Sequence, residues 1–171
     1  PSPATTSVSR RTLLARPFAT CNEAGMREGP GAPFEFRMIA PDGDVDENCH
    51  ISNIAYVRWV QEATRAHSEA VGWSKERYQS VGSFFLIRRH ELDYLRPAQG
   101  GDEIKIITWV EEFRPASALR ASRILRAKDD VELVVARTEW VFVSIDGNRP
   151  KRMLPEVIKA FSTPVPAATA A

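Results

Sequence analysis

The sequence predicts an α+β fold in a single domain, an antiparallel five-stranded sheet curled around one long central helix. Three observations carry this. From about Asn53 to Val71, Tyr56, Trp59, Val60, Ala63, Ala66 or His67, and Ala70 fall on one helical face. Arg58, Gln61, Glu62, Arg65, Ser68 and Glu69 fall on the other. After Gly82 the period changes, and Phe84 to Leu95, Glu103 to Phe113, Ser117 to Arg126, and Val131 to Ile145 read as strands. These are separated by turn chemistry: Pro97-Ala-Gln-Gly-Gly101, Arg114-Pro115, Lys128-Asp-Asp130 and Asp146-Gly-Asn148.

Residues 1–33 read as a disordered or targeting leader. They are rich in Pro, Ser, Thr, Ala and Gly, carry Arg10, Arg11, Arg16 and Arg27, and have no acid before Glu23. Such a leader is compatible with organelle import or, less well, with twin-arginine export, whose apolar core Arg16, Pro17 and Glu23 would interrupt. The domain spans 34–163. It starts with a strand at Phe34 to Ala40, where Phe34, Phe36 and Met38 share a face. Pro41-Asp-Gly43 turns the chain into a polar loop, and Ser52 or Asn53 is placed to cap the long helix. Gly72 ends it. One helical turn is expected around Lys75 to Tyr78, a short closing helix at Pro155 to Phe161, and a flexible tail over 164–171. Val131 to Ile145 is apolar on both faces, so both need cover. One long helix covers only one of them. A partner subunit is the economical source of the other layer, which points to a homodimer or a tetramer.

Composition narrows the function. With 171 residues, 43% hydrophobic and 26% charged, the chain is an ordinary globular domain. A formal net charge of +1 provides no basic field to gather nucleic acid. Two cysteines, Cys21 and Cys49, make no disulfide framework, so a reducing, cytoplasmic setting is the default. No run of about eighteen apolar residues exists to span a membrane. Neither zinc-ligand spacing nor a glycine-rich phosphate loop is present, and no metal or cofactor is implied.

The chemistry is concentrated between Asp44 and Asn53, which pack two aspartates, two amides, a histidine and a cysteine directly before the helix. A carboxylate at Asp46 beside a helix N-terminus can be held ionised, ready to attack a carbonyl carbon or take a proton from water. The same spacing also suits Asp44 and Asp46 as turn caps. Asn48 can orient an acyl oxygen or water, and His50 can move a proton near neutral pH. A Cys49, His50 and Asn53 triad is disfavoured, because neighbours on an extended loop point apart. His67, on the border of the apolar face, reads as a packed core histidine. His90 and Glu91 read as exposed or structurally paired, or as an acid–base pair offered to a neighbouring subunit.

Asp46-Glu-Asn48-Cys-His50-Ile-Ser-Asn53-Ile-Ala-Tyr56-Val-Arg-Trp59 resembles the signature of the hot-dog-fold thioesterases. It is similar to the Asp-x-x-Gly-His-Val-Asn-Asn-x-x-Tyr form of 4-hydroxybenzoyl-CoA thioesterase-like proteins and to the Asp-x-Asn-x-His form of acyl-ACP thioesterases. Glu91-Leu-Asp-Tyr94-Leu-Arg-Pro97 leading to Gly101-Asp102, and Arg149-Pro-Lys-Arg-Met-Leu-Pro155, extend the resemblance over about Phe34 to Phe161. It implies a dimeric acyl thioester hydrolase of lipid metabolism with Asp46 as nucleophile or general base. The Asn53 N–H would be the carbonyl-polarising donor, and Asn48 and His50 polar catalytic positions. Tyr56, Arg88, Arg89, Arg149 and Arg152 are then candidates for contact with the substrate, acyl-CoA in preference to acyl-ACP. Arg96 and Lys151 also lie near strand ends. Cys49 stands where the CoA-type proteins have Gly, a residue that tolerates φ > 0 as Cys does not, and Ser52 replaces the first Asn of the pair. Competing readings are a hydratase or dehydratase on the same fold and a non-catalytic acyl-CoA-binding module.

Overall fold

The computed structural model describes residues 29–170. The expected leader up to residue 28, including Cys21, lies outside the described residues. The order of elements is β1 (Phe34–Ile39), a 3₁₀ turn at Asp42–Asp44, α1 (Asn53–Ala70), α2 (Lys75–Ser80), β2 (Ser83–Tyr94), β3 (Glu103–Phe113), β4 (Ser117–Arg126), β5 (Val131–Ser144), α3 (Pro155–Phe161) and β6 (Ala168–Thr169). The sheet runs β2-β5-β4-β3-β1-β6. All pairings are antiparallel except the last, in which Phe36 and Arg37 face Ala168 and Thr169 in parallel. The sheet therefore has six strands where the sequence indicated five. The residues expected to form a tail turn back along β1, where the Ala170 N–H donates to the Arg37 carbonyl at 2.8 Å. A two-residue strand has too short an alternation to be read from periodicity.

Register explains which residues meet the helix. Phe36 faces Ile106, Ile106 faces Ile124 and Ile124 faces Val134, forming one apolar row across four strands. Against this face α1 buries Ala55, Tyr56, Trp59, Val60, Ala63 and His67, with Trp59, Val60, Ala63 and His67 at 0% exposure. Ala70, expected on the same face, is exposed. Ser52 is the N-cap, its Oγ accepting from the Ile54 N–H at 3.4 Å. Gly72 ends the helix at φ 80°, a conformation that glycine adopts without a Cβ clash.

A second apolar cluster fills the opposite end of the domain, where Trp73, Phe142 and Ala118 pack with Val157 and Phe161 of α3. Upstream of β1 the chain continues along β3, and the Gly31 N–H donates to the Val110 carbonyl at 3.1 Å. A Cβ at Gly31 would come within 2.9 Å of three Val110 atoms, so the approach requires glycine. On the outer face, half-buried Val135 and Val141 alternate with ion-paired Arg137 and Glu139.

Candidate active site

The loop before α1 is built by its own backbone. The Asp46 N–H donates to the His50 carbonyl at 2.7 Å and the Cys49 N–H to the Asp46 carbonyl at 3.0 Å. Val45 and Ile51 form an isolated antiparallel bridge, which closes the loop. Cys49 sits at φ 60°. The residue standing in the family's glycine position thus takes the left-handed conformation that glycine would take, at a cost of about 1–2 kcal/mol.

This tight loop points two N–H groups at one carboxylate. Oδ1 of Asp46 accepts from the Asn48 N–H at 2.8 Å and the His50 N–H at 3.3 Å. The Asn48 N–H is the largest influence holding the Asp46 pKa below its ordinary value; desolvation opposes it, and the His50 N–H and the Asn48 side chain add to the lowering. Asp46 is therefore an ionised, solvent-reachable carboxylate with Oδ2 uncommitted among these bonds.

The helix start supplies the complement. Ser52 Oγ occupies the Ile54 N–H and the Ser52 carbonyl the Ala55 N–H. The Asn53 N–H, first in the helix, makes no hydrogen bond among the described residues. Asp46 and Asn53 line the same open cleft of about 360 Å³, with Ile51, Tyr56, Tyr94 and Arg96.

The other expected residues divide. Asn48 and His50 contribute backbone donors to Asp46, while both residues are exposed and neither lines the cleft. Tyr56 is buried and its hydroxyl accepts the Ala98 N–H at 2.9 Å, anchoring the turn after β2. Arg88 pairs with Glu139 and Arg89 with Glu91 on the exposed edge strand. Arg149 and Arg152 lie exposed beyond β5, where the Arg149 carbonyl accepts from the Ser144 N–H at 2.9 Å, at the sheet end opposite Tyr94. Within one chain none of these four arginines reaches the Asp46 cleft; Arg96 does. His90 hydrogen-bonds Thr138 at 2.9 Å and Glu91 projects from the other side of the strand, so the two are not a pair.

Two contacts were not legible from motif spacing. Asp44 accepts from Arg58 and from Trp59 Nε1, the latter at 3.1 Å, and so ties the loop to the buried face of α1. The Tyr94 hydroxyl donates to the Asn53 carbonyl at 3.1 Å and fixes the helix start to the end of β2. The period-2 alternation of β4 places Ala118, Arg120, Ser122 and Ile124 inward, a signal that would have exposed a further feature. Arg120 is buried at the far end of α1, beside a larger cavity of about 610 Å³ that does not include Asp46.

A curled antiparallel sheet around one buried helix, with a polar loop at the helix mouth, defines a hot-dog thioesterase fold. Residues 41–161 match the thioesterase-like superfamily, and the chain belongs to it. No match to a curated protein was found. Among solved structures, the 1,4-dihydroxy-2-naphthoyl-CoA thioesterase of Synechocystis superposes with a TM-score of 0.71 at 16% identity, over 76% of this chain and 96% of that one. A Staphylococcus aureus protein solved in complex with CoA gives 0.71 at 10% identity, over 79% and 85%. The "oleoyl thioesterase (putative)" of Lactobacillus plantarum gives 0.73 at 18%, over 82% of this chain; the chain spans 53% of that protein's length. At these identities the likenesses show the fold, while the family match supports thioester hydrolysis as the reaction class.

Proposed function

We propose that the chain hydrolyses acyl thioesters carried on CoA. The observation that carries this reading is the pairing of an ionised Asp46 with an unengaged Asn53 N–H on the wall of one cleft. The thioester carbonyl oxygen accepts from the Asn53 N–H, where the partial positive charge of the helix end favours the developing oxyanion. Asp46, its Oδ1 held by two N–H groups, presents Oδ2 to the carbonyl carbon or to a water molecule. The carbon–sulfur bond breaks, the thiolate leaves and takes up a proton, and the acid is released. As nucleophile, Asp46 would form an anhydride that water then opens. Arg96, at the cleft wall, is the cation placed to meet a phosphate of the carrier.

A homodimer belongs to the same reading. Among the described residues strand β2 pairs only with β5, so its other edge has no described strand beside it from Ser83 to Tyr94, and Leu86 and Tyr94 are 41% and 47% exposed. A twelve-residue open edge is a template for pairing, and a second copy of this strand is its proposed partner. The deciding experiment is thiol release from a panel of short, medium, long and aromatic acyl-CoAs. Release of CoA with stoichiometric free acid is expected. An enzyme that hydrates enoyl-CoA without freeing thiol, or binds acyl-CoA without turnover, overturns the reading.

A further inference from the structure

The cavity of about 610 Å³ lies beside the C-terminal half of α1, between that helix, α2 and the sheet. Its inner walls are largely apolar, with Trp73, Tyr78, Phe85, Phe113, Trp140 and Phe161 among them. Arg120 also lines it and is only 4% exposed. Its Nη1 donates to Thr108 Oγ1 at 3.2 Å and to His67 Nδ1 at 3.1 Å. Accepting on Nδ1 leaves His67 in its Nε2–H tautomer, and burial holds it neutral, its pKa lowered to about 3. Thr108 is uncharged as well. The guanidinium carbon sits 5.3 Å from the centre of the Phe161 ring. Burial pushes the Arg120 pKa down to about 10, which leaves it cationic at neutral pH.

Among the described residues no carboxylate pairs with this cation, whereas Arg37, Arg58, Arg114 and Arg126, all more exposed, each have one. A buried charge without a counter-ion is costly to the fold. Only Nη1 is engaged among the described residues, so Nε and Nη2 remain as a planar fork, the shape that grips a carboxylate in two parallel bonds. The rim also carries Arg65, Lys75 and Glu69, all exposed, so Arg120 is the buried charge of the cavity. Its guanidinium matches one carboxylate, and the apolar walls suit an apolar body behind it. We infer that this cavity binds a carboxylate with an apolar aliphatic or aromatic body, its carboxyl group paired with Arg120.

Two sources share this chemistry: a free carboxylic acid, and the far end of an acyl group that itself ends in a carboxylate. The second rests on the thioester-hydrolase reading. Asn53 and Ser68 are fifteen residues apart on α1, about 22 Å along the axis, so such an acyl group would have to be long.

The test titrates the full chain with decanoate, methyl decanoate and decanol, followed by calorimetry and tryptophan fluorescence. Decanoate should bind the parent at least tenfold more tightly than either neutral analogue. Arg120→Met should lose that preference while remaining at least as heat-stable as the parent, because it removes a buried charge; Arg120→Lys, which keeps charge without the fork, should retain part of it. Asp46→Asn should bind decanoate unchanged, separating this site from the catalytic loop. Equal affinity for decanoate and its methyl ester, or full decanoate binding by both Arg120 variants, overturns the proposal. Thiol release from an ω-carboxyacyl-CoA and a plain acyl-CoA of the same length then distinguishes the sources. A preference for the former that Arg120→Met abolishes assigns the anion to the substrate; decanoate binding without that preference assigns it to a free acid. If no thioester is hydrolysed at all, the hydrolase reading fails while the decanoate titration still decides the cavity.

Discussion

The two ends of α1 solve opposite electrostatic problems. At its start, Asp46 stands open to solvent and is kept charged by N–H groups two and four residues away in sequence. At its far end, burial dominates: it holds His67 neutral and lowers the pKa of Arg120. The first end is assembled from one continuous loop. The second draws His67 from the helix, Thr108 and Arg120 from neighbouring strands and Phe161 from α3. A reactive group can therefore be tuned locally by the backbone or globally by packing, and this domain uses one method at each end of the same helix.

Changes at the junction between them should have the largest effect. Trp59 is fully buried in the middle of α1, and its indole N–H also holds Asp44. Trp59→Ala should cost about 3–5 kcal/mol in denaturant unfolding and reduce turnover as well. A cost below about 1 kcal/mol would mean that helix and loop are not one unit.

The far end should be visible in the acid dependence of stability. The pKa of His67 is lowered from 6.5 to about 3 on folding, so between those values the unfolded chain holds the extra proton. Stability should therefore fall as pH drops through that window, by up to about 1.4 kcal/mol per pH unit. His67→Phe should flatten this slope in unfolding measured from pH 7 to pH 4; an unchanged slope would show that His67 is not the group responsible.

Smaller effects sharpen the start of α1. Asp44 is largely buried and accepts from two side chains, so Asp44→Ala should cost about 1–3 kcal/mol and lower kcat by displacing the loop. An unaltered kcat would remove Asp44 as a positioning residue. Cys49→Gly relieves the strain at φ 60° but frees the unfolded chain, so the net gain should stay within about 1 kcal/mol, read as a small rise in Tm.

The same contrast explains what the sequence revealed. Helix and strand periods, Gly72 and the turn residues located α1 to α3 and β1 to β5, because each signal lies within its own element. Asp46 and Asn53 were legible because the loop that joins them is contiguous. Arg88, Arg89, Arg149 and Arg152 were proposed from strand ends, but spacing does not say which end of the sheet a strand terminus occupies; in the fold Arg96 lines the cleft. The Arg120 site depends on β3, β4 and α3 converging on His67, a matter of register that no local pattern encodes.

The central claim is that the Asp46 carboxylate performs chemistry opposite the Asn53 N–H. The most direct measurement compares kcat for thiol release by the parent and by Asp46→Asn on the best acyl-CoA, with unfolding curves for both. A loss of about 10²–10⁴-fold with coincident unfolding curves is the predicted result. A folded Asp46→Asn protein that releases CoA at the parental rate would contradict it.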